Sequence, residues 1–140
     1  MRARGFTFIS FLVIVGIAAG VVWLITYGPA YIERYEVHSI VREAANYCYR
    51  EKDDEKIKGF IINRVGQSFS EEVMDHGRKE MVLKFDFSPR DDLRIDRTET
   101  PPEVNIWLTY RRTVTVPLAG YKREVEFTVH ANQDMTAVKW

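Results

Sequence analysis

The sequence predicts an α+β protein: one N-terminal transmembrane helix, then two amphipathic helices packed on a three- or four-stranded antiparallel sheet. Three observations point there. Residues 6–27 carry no charge and are almost wholly apolar. Beyond Pro29 the apolar residues recur at spacings of three and four, the period of a helix with one buried face. From Met81 onward the spacing falls to two, the period of a half-buried strand.

The first element is a membrane helix over residues 6–27. At about 1.5 Å per residue it spans roughly 33 Å, enough to cross a hydrocarbon core of about 30 Å. Ala18-Ala19-Gly20 offers the small residues that a signal peptidase requires, but Val21-Val22-Trp23-Leu24-Ile25-Thr26 carries the apolar run past it. The h-region of a signal peptide is only about 7–15 residues long, so a retained anchor is expected. Arg2 and Arg4 precede the run with no acid beside them, whereas the first charges after it are mixed: Glu33, Arg34, Glu36. The positive-inside rule then leaves residues 1–5 as a cytoplasmic tail and exports residues 28–140 as one periplasmic α+β domain. Trp23, Tyr27 and Tyr31 suit the headgroup level at the far end.

A second helical stretch, about Ala30 to Tyr49, aligns Ile32, Tyr35, Ile40, Val41, Ala44, Ala45 and Cys48; Pro29 marks the point where it continues or restarts the first helix. Glu51-Lys52-Asp53-Asp54 breaks the pattern, and Asp53 or Asp54 caps a further helix with Ile57, Phe60, Ile61 and Val65 on one face and Gly66 as its stop. Ser70-Glu71-Glu72 reads as the start of a short third helix ending near Gly77. Met81, Leu83, Phe85 and Phe87 alternate as a strand, and Leu93 and Ile95 do so over a shorter length. The clearest strand runs from Val104 to Val116, with Val104, Ile106, Leu108, Tyr110, Val114 and Val116 on one face. Pro117-Leu118-Ala119-Gly120 forms a turn, and Val125, Phe127, Val129 and Ala131 form the facing strand.

Lys plus Arg equals Asp plus Glu at 20 each, so charge gives no reason to expect nucleic acid as a partner. A single cysteine, Cys48, excludes an intrachain disulfide; between Tyr47 and Tyr49 on a helix it reads as a small buried hydrophobe. His38, His76 and His130 are far apart in sequence and lack a second ligand at helical spacing, so no metal and no cofactor is expected. Arg90-Asp91-Asp92 and Asp96-Arg97 stand beside no nucleophile–base pattern and read as solvated loop charge, so no catalytic residue is assigned. Arg111-Arg112 interrupts the clearest strand with Arg112 on the apolar parity; it reads as an edge-strand charge that discourages edge-to-edge pairing, the alternative being a binding edge for an acidic partner or a lipid headgroup. Trp140 is an exposed aromatic or the end of a docking strand. Gly16 and Gly20 form a G-x-x-x-G inside the membrane helix, a candidate packing face where two helices approach closely.

Arg4-Gly5-Phe6-Thr7-Phe8-Ile9 resembles the processing site of type IV pilins and pseudopilins. In that family a prepilin peptidase cuts after a Gly that ends a basic leader, and the apolar helix then packs into a filament core. The resemblance covers about residues 2–22 and implies Gly5 and Phe6 as processing residues. The family's fifth mature residue is normally Glu, whose carboxylate pairs with a neighbour's N-terminal amine; this chain has Ser10, which carries no charge. Over its whole length the chain is similar to small proteobacterial single-pass membrane proteins of unknown function with the same pilin-like start. There the start is followed by a Pro-x-Tyr turn (Pro29-Ala30-Tyr31 here) and a late strand running into Pro (Pro117 here). The expected role is a non-enzymatic subunit or scaffold of an envelope complex in a bacterial inner membrane. Its partners would be the lipid bilayer and other membrane or envelope proteins or a second copy of itself. The alternative is a pilin-like or pseudopilin subunit cleaved after Gly5 and assembled into a short filament.

Overall fold

The computed structural model describes residues 7–136. Helix α1 (Phe8–Tyr47) is continuous through Pro29, so the apolar run and the first amphipathic helix are one rod of 40 residues. Proline removes one intrahelical donor without ending the helix, because neighbouring hydrogen bonds and packing hold the rod on either side. The two halves differ in surroundings. From Phe8 to Leu24 the large apolar side chains are exposed, apart from the half-buried Val22, and this is the one described helix long and apolar enough to cross a membrane. From Thr26 onward one stripe is buried: Thr26, Ala30, Val37, Ile40, Val41, Ala44, Ala45 and Cys48. Three of these are alanines, which let the sheet approach the helix axis closely.

Cys48 sits at the end of the rod, where its amide and thiol both reach the Ala44 carbonyl (3.1 and 3.3 Å). Burial pushes its thiol pKa up, as expected of a buried packing residue.

Helix α2 (Asp54–Phe69) starts where Asp53 caps the Glu55 amide at 3.0 Å, and it buries Ile57, Ile61, Val65 and Phe69 at strict four-residue spacing. Gly66 does not stop it. Phe69 lies one turn further on the buried face and packs against Phe85 with 5.2 Å between ring centroids, which draws the helix past the glycine. The helix runs antiparallel to α1, fixed by Tyr47 stacked on Phe60 at 5.4 Å and by an Arg64–Glu43 ion pair at 2.7 Å.

The short third helix expected over residues 70–77 is a strand instead. Strands β1 (Ser70–Asp75) and β2 (Arg78–Leu83) form a two-stranded antiparallel hairpin. The deciding feature is its two-residue loop, His76-Gly77, with φ of 46° and 80°. Positive φ at both positions is the turn whose twist matches a hairpin, and glycine takes it without steric cost. The strand expected to run on to Phe87 ends at Leu83; Phe85 turns into the core, and Asp86 makes an isolated two-way backbone bridge to Arg111.

Strands β3 (Leu93–Glu99), β4 (Pro102–Thr115) and β5 (Lys122–Asp134) form the main sheet, antiparallel in chain order with β4 in the centre. Val104, Ile106, Leu108, Tyr110 and Val114 face the helices, as their alternation predicts. Across from them Leu93 and Val129 flank Leu108, and Phe127 pairs with Tyr110. The core therefore lies between the sheet and the distal half of α1, closed at one side by α2.

Candidate functional site

The place where the rod leaves its exposed half and enters the core gathers the most unusual side chains of the molecule. Trp23, Tyr27 and Tyr31 form an aromatic ladder along α1, with ring centroids 5.7 Å (Trp23–Tyr27) and 6.2 Å (Trp23–Tyr31) apart. Tyr31 then meets Phe127 of β5 edge-on at 5.7 Å. These residues lie one helical turn apart, so they share a face, and that face turns toward β5.

Immediately beyond the ladder, Glu33 and Arg112 form an ion pair between α1 and β4. Their side chains are only 14% and 20% exposed. Arg112 occupies the parity of the buried strand residues, so the sheet aims it at the helix, and burial lowers its pKa while leaving it a cation at any ordinary pH. The edge-strand reading of Arg112 is therefore corrected: β4 is the central strand and Arg112 has a dedicated acidic partner. Below the pair, Tyr110 is fully buried with its hydroxyl lacking a hydrogen-bond partner, and burial pushes its pKa up to about 12.

Arg111, on the outer face, is a different case. Asp92 approaches its guanidinium with both oxygens (3.2 and 3.4 Å) and Glu126 adds a third contact at 3.4 Å, which raises its pKa. Asp92 also accepts from the Ser88 amide at 2.7 Å. Asp92 thus ties the loop before β3 to the middle of β4. Asp96 pairs with Arg94 (2.5 Å), and Arg97 reaches Asp54 at the start of α2 (2.8 Å). Of the charges read as solvated loop residues, Asp92 and Arg97 thus join separate elements, whereas Asp96 pairs within its own strand.

A groove of about 450 Å³ runs between α1 and the free edge of β5, walled by Tyr31, Arg34, Tyr35, His38 and His130. Here the fold brings together two histidines that the sequence keeps far apart. His38 Nε2 donates to the His130 carbonyl at 3.1 Å, which fixes its tautomer because a carbonyl only accepts. The His130 ring stacks on Trp107 at 4.7 Å and bonds Asn105 Oδ1 at 2.9 Å. His38 and the Tyr49 hydroxyl, which donates to the Asp134 carbonyl, thus cover carbonyls on the edge of β5. His76 lies apart, in the β1–β2 turn beside Asp75. Among the described residues no group of three or more His, Cys, Asp or Glu is placed to hold a metal ion.

Gly16 and Gly20 lie on the exposed half of α1, and a methyl group added at either would meet nothing among the described residues within 4 Å. Their face is open to another helix. Ser10, in the position the pilin family gives to Glu, has its hydroxyl 2.9 Å from that of Thr7. Gly5, Phe6 and Trp140 lie outside the described residues. The Glu33–Arg112 pair was missed in sequence although both halves of its signal are visible there: a cation on buried parity, and the first acid after the apolar run. Compared with protein-family models, curated proteins and solved structures, the chain matches none.

Proposed function

We propose that the chain is a single-pass protein of a bacterial inner membrane that serves as a non-enzymatic subunit or scaffold of an envelope complex, with its α+β domain on the periplasmic side. The observation that carries this reading is the unbroken rod α1. One helix presents a naked apolar half of membrane length and buries its other half as the central helix of the domain core. With no flexible linker between them, the orientation of the domain is tied to that of the membrane segment. Such coupling suits a part that holds a fixed place in an assembly. The best-formed polar clusters support the same reading: Asp92–Arg111, Asp54–Arg97 and Glu43–Arg64 each join two elements.

In the assembly the open Gly16/Gly20 face packs a partner helix. Replacing both glycines by Leu is expected to reduce recovery of that partner about tenfold, equivalent to about 1.4 kcal/mol of helix packing. The measurement is quantitative copurification from native membranes in mild detergent. Unchanged recovery, with the variant inserted and folded as the wild type, would remove the helix face from the proposal.

A filament subunit is the second reading, favoured by the Arg4-Gly5-Phe6-Thr7 start and by the protruding apolar half of α1. Intact mass of the protein from its native membrane separates the two. The scaffold reading expects residues 1–5 to be retained. A chain beginning at Phe6, with or without N-methylation, would put the filament subunit first.

A further inference from the structure

The connection between β4 and β5 is more than a turn. From Thr115 to Tyr121 the sequence is Thr-Val-Pro-Leu-Ala-Gly-Tyr, without a charge, and Lys122 and Arg123 follow at once. Leu118 is 85% exposed, the most of any large hydrophobic among the described residues, and Tyr121 beside it is 63% exposed. Gly120 takes φ of 60°, and the backbone closes through Gly120 N to Val116 O (3.1 Å) and Val116 N to Tyr121 O (2.8 Å), so the tip is a built turn that holds these side chains outward.

The position of the tip along α1 gives it a direction. Val116 and Leu118 share an almost wholly apolar groove with Ala18, Ala19, Val22 and Thr26, where the exposed half of the rod meets the buried half. From Glu33, the first charged residue of α1, back to Val22 is about 16 Å along the axis at about 1.5 Å per residue. The hairpin therefore reaches well past the last charge of the helix and lies alongside the segment read as crossing the bilayer. The polar alternative fails on the helix side as well, since Thr26 turns its hydroxyl back to the Val22 carbonyl at 2.7 Å and offers the tip no hydrogen bond.

We infer that the β4–β5 tip is a second membrane contact: Leu118 and Tyr121 enter the acyl–headgroup boundary of the leaflet on the domain side, and Lys122 and Arg123 meet the lipid phosphates. This rests on the reading of residues 6–27 as a membrane span. The occupant is lipid because the tip surface is continuous with the apolar surface of α1, and because the two cations stand just behind the apolar residues, the order in which a bilayer presents acyl chain and phosphate. A helix alone can tilt and spin in a bilayer; a second contact fixed to the same rigid domain removes both freedoms.

The test uses the full chain in vesicles of phosphatidylethanolamine and phosphatidylglycerol carrying a shallow spin-labelled acyl chain. Leu118→Cys is labelled with an environment-sensitive fluorophore, and the wild-type protein, whose single thiol is the buried Cys48, is the labelling blank. Leu12→Cys reports on the span and Glu55→Cys on water. The expected result is blue-shifted, quenched emission at Leu118 as at Leu12, with Glu55 unaffected. Quenching at Leu12 but not at Leu118 overturns the tip contact, leaves the span standing and returns the tip to a protein partner. Absence of quenching at both positions overturns the span reading and the tip contact with it. Should Leu118→Cys fail to fold, Tyr121→Cys gives the same discrimination.

Discussion

Tyr110→Ala is expected to destabilise the folded domain by about 4 kcal/mol, whereas Tyr110→Phe leaves it unchanged or makes it more stable. Tyr110 is fully buried in the middle of the central strand, with Phe85 at 4.5 Å and Phe127 at 5.5 Å between ring centroids. Truncation opens a cavity that aromatic neighbours from two separate segments cannot both collapse into. The hydroxyl makes no hydrogen bond, so removing it alone takes nothing from the folded state and spares a desolvated polar group. The same hydroxyl predicts a pH effect. Burial raises its pKa from 10.0 to about 12, so the neutral form is favoured by folding. The associated stability is fully present below pH 10 and is lost as pH rises through the folded value. Denaturant unfolding in detergent micelles, followed by tryptophan fluorescence, should show a steeper loss above pH 10 for the wild type than for Tyr110→Phe. A Phe variant less stable by more than 1 kcal/mol would mean that the hydroxyl has a partner after all.

What could be read in the sequence, and what could not, divides by range. The membrane-length run, the Asp53 cap and the alternation of Val104 to Val114 are local signals: the first two mark where a helix begins, and the third bounds a strand within a few residues. Strand β1 escaped because Ser70-Glu71-Glu72 has the composition of a helix start, whereas β2 was caught in part by the alternation of Met81 and Leu83. The apolar residues of β1, Val73 and Met74, are adjacent and both exposed, so they give no alternation to correct that reading. Over residues 70–77 only the His76-Gly77 turn spoke for a strand, and it lacks the Asn-Gly or Asp-Gly pair that marks such a turn most strongly. Gly66 failed as a stop because a glycine ends a helix only when the next apolar residue does not need the same face, and Phe69 does. The junction lies on the other side of the divide. Arg112 looked like an edge-strand charge until pairing on both sides placed β4 in the centre, and no local pattern could link it to Glu33. The tip was legible as a turn, but its reach alongside Ala18 and Val22 depends on the length and twist of two strands.

Glu33→Ala is expected to cost about 2–4 kcal/mol, and the double variant Glu33→Leu/Arg112→Leu to recover most of it. Removing one partner of a desolvated pair strands the other charge, and Arg112 cannot escape by losing its proton. The full penalty of a sealed pair is reduced here because the two side chains keep 14% and 20% of their exposure. Two leucines would fill the same space with no charge to bury, which is why the pair is a poor explanation of stability as such. Its better explanation is position. It stands directly after the aromatic ladder of Trp23, Tyr27 and Tyr31, and it joins the rod to the strand that leads into the β4–β5 tip. An apolar pair would pack in several rotations of the helix; a charge pair accepts one. The double variant should therefore unfold at nearly the wild-type denaturant concentration yet hold its domain less uniformly against the rod. Distances between spin labels at Ile9→Cys and Glu124→Cys, in detergent micelles, report that geometry. A broader distance distribution in the double variant supports the registry role. A distribution as narrow as the wild type's would leave Glu33 and Arg112 as an ordinary packing contact.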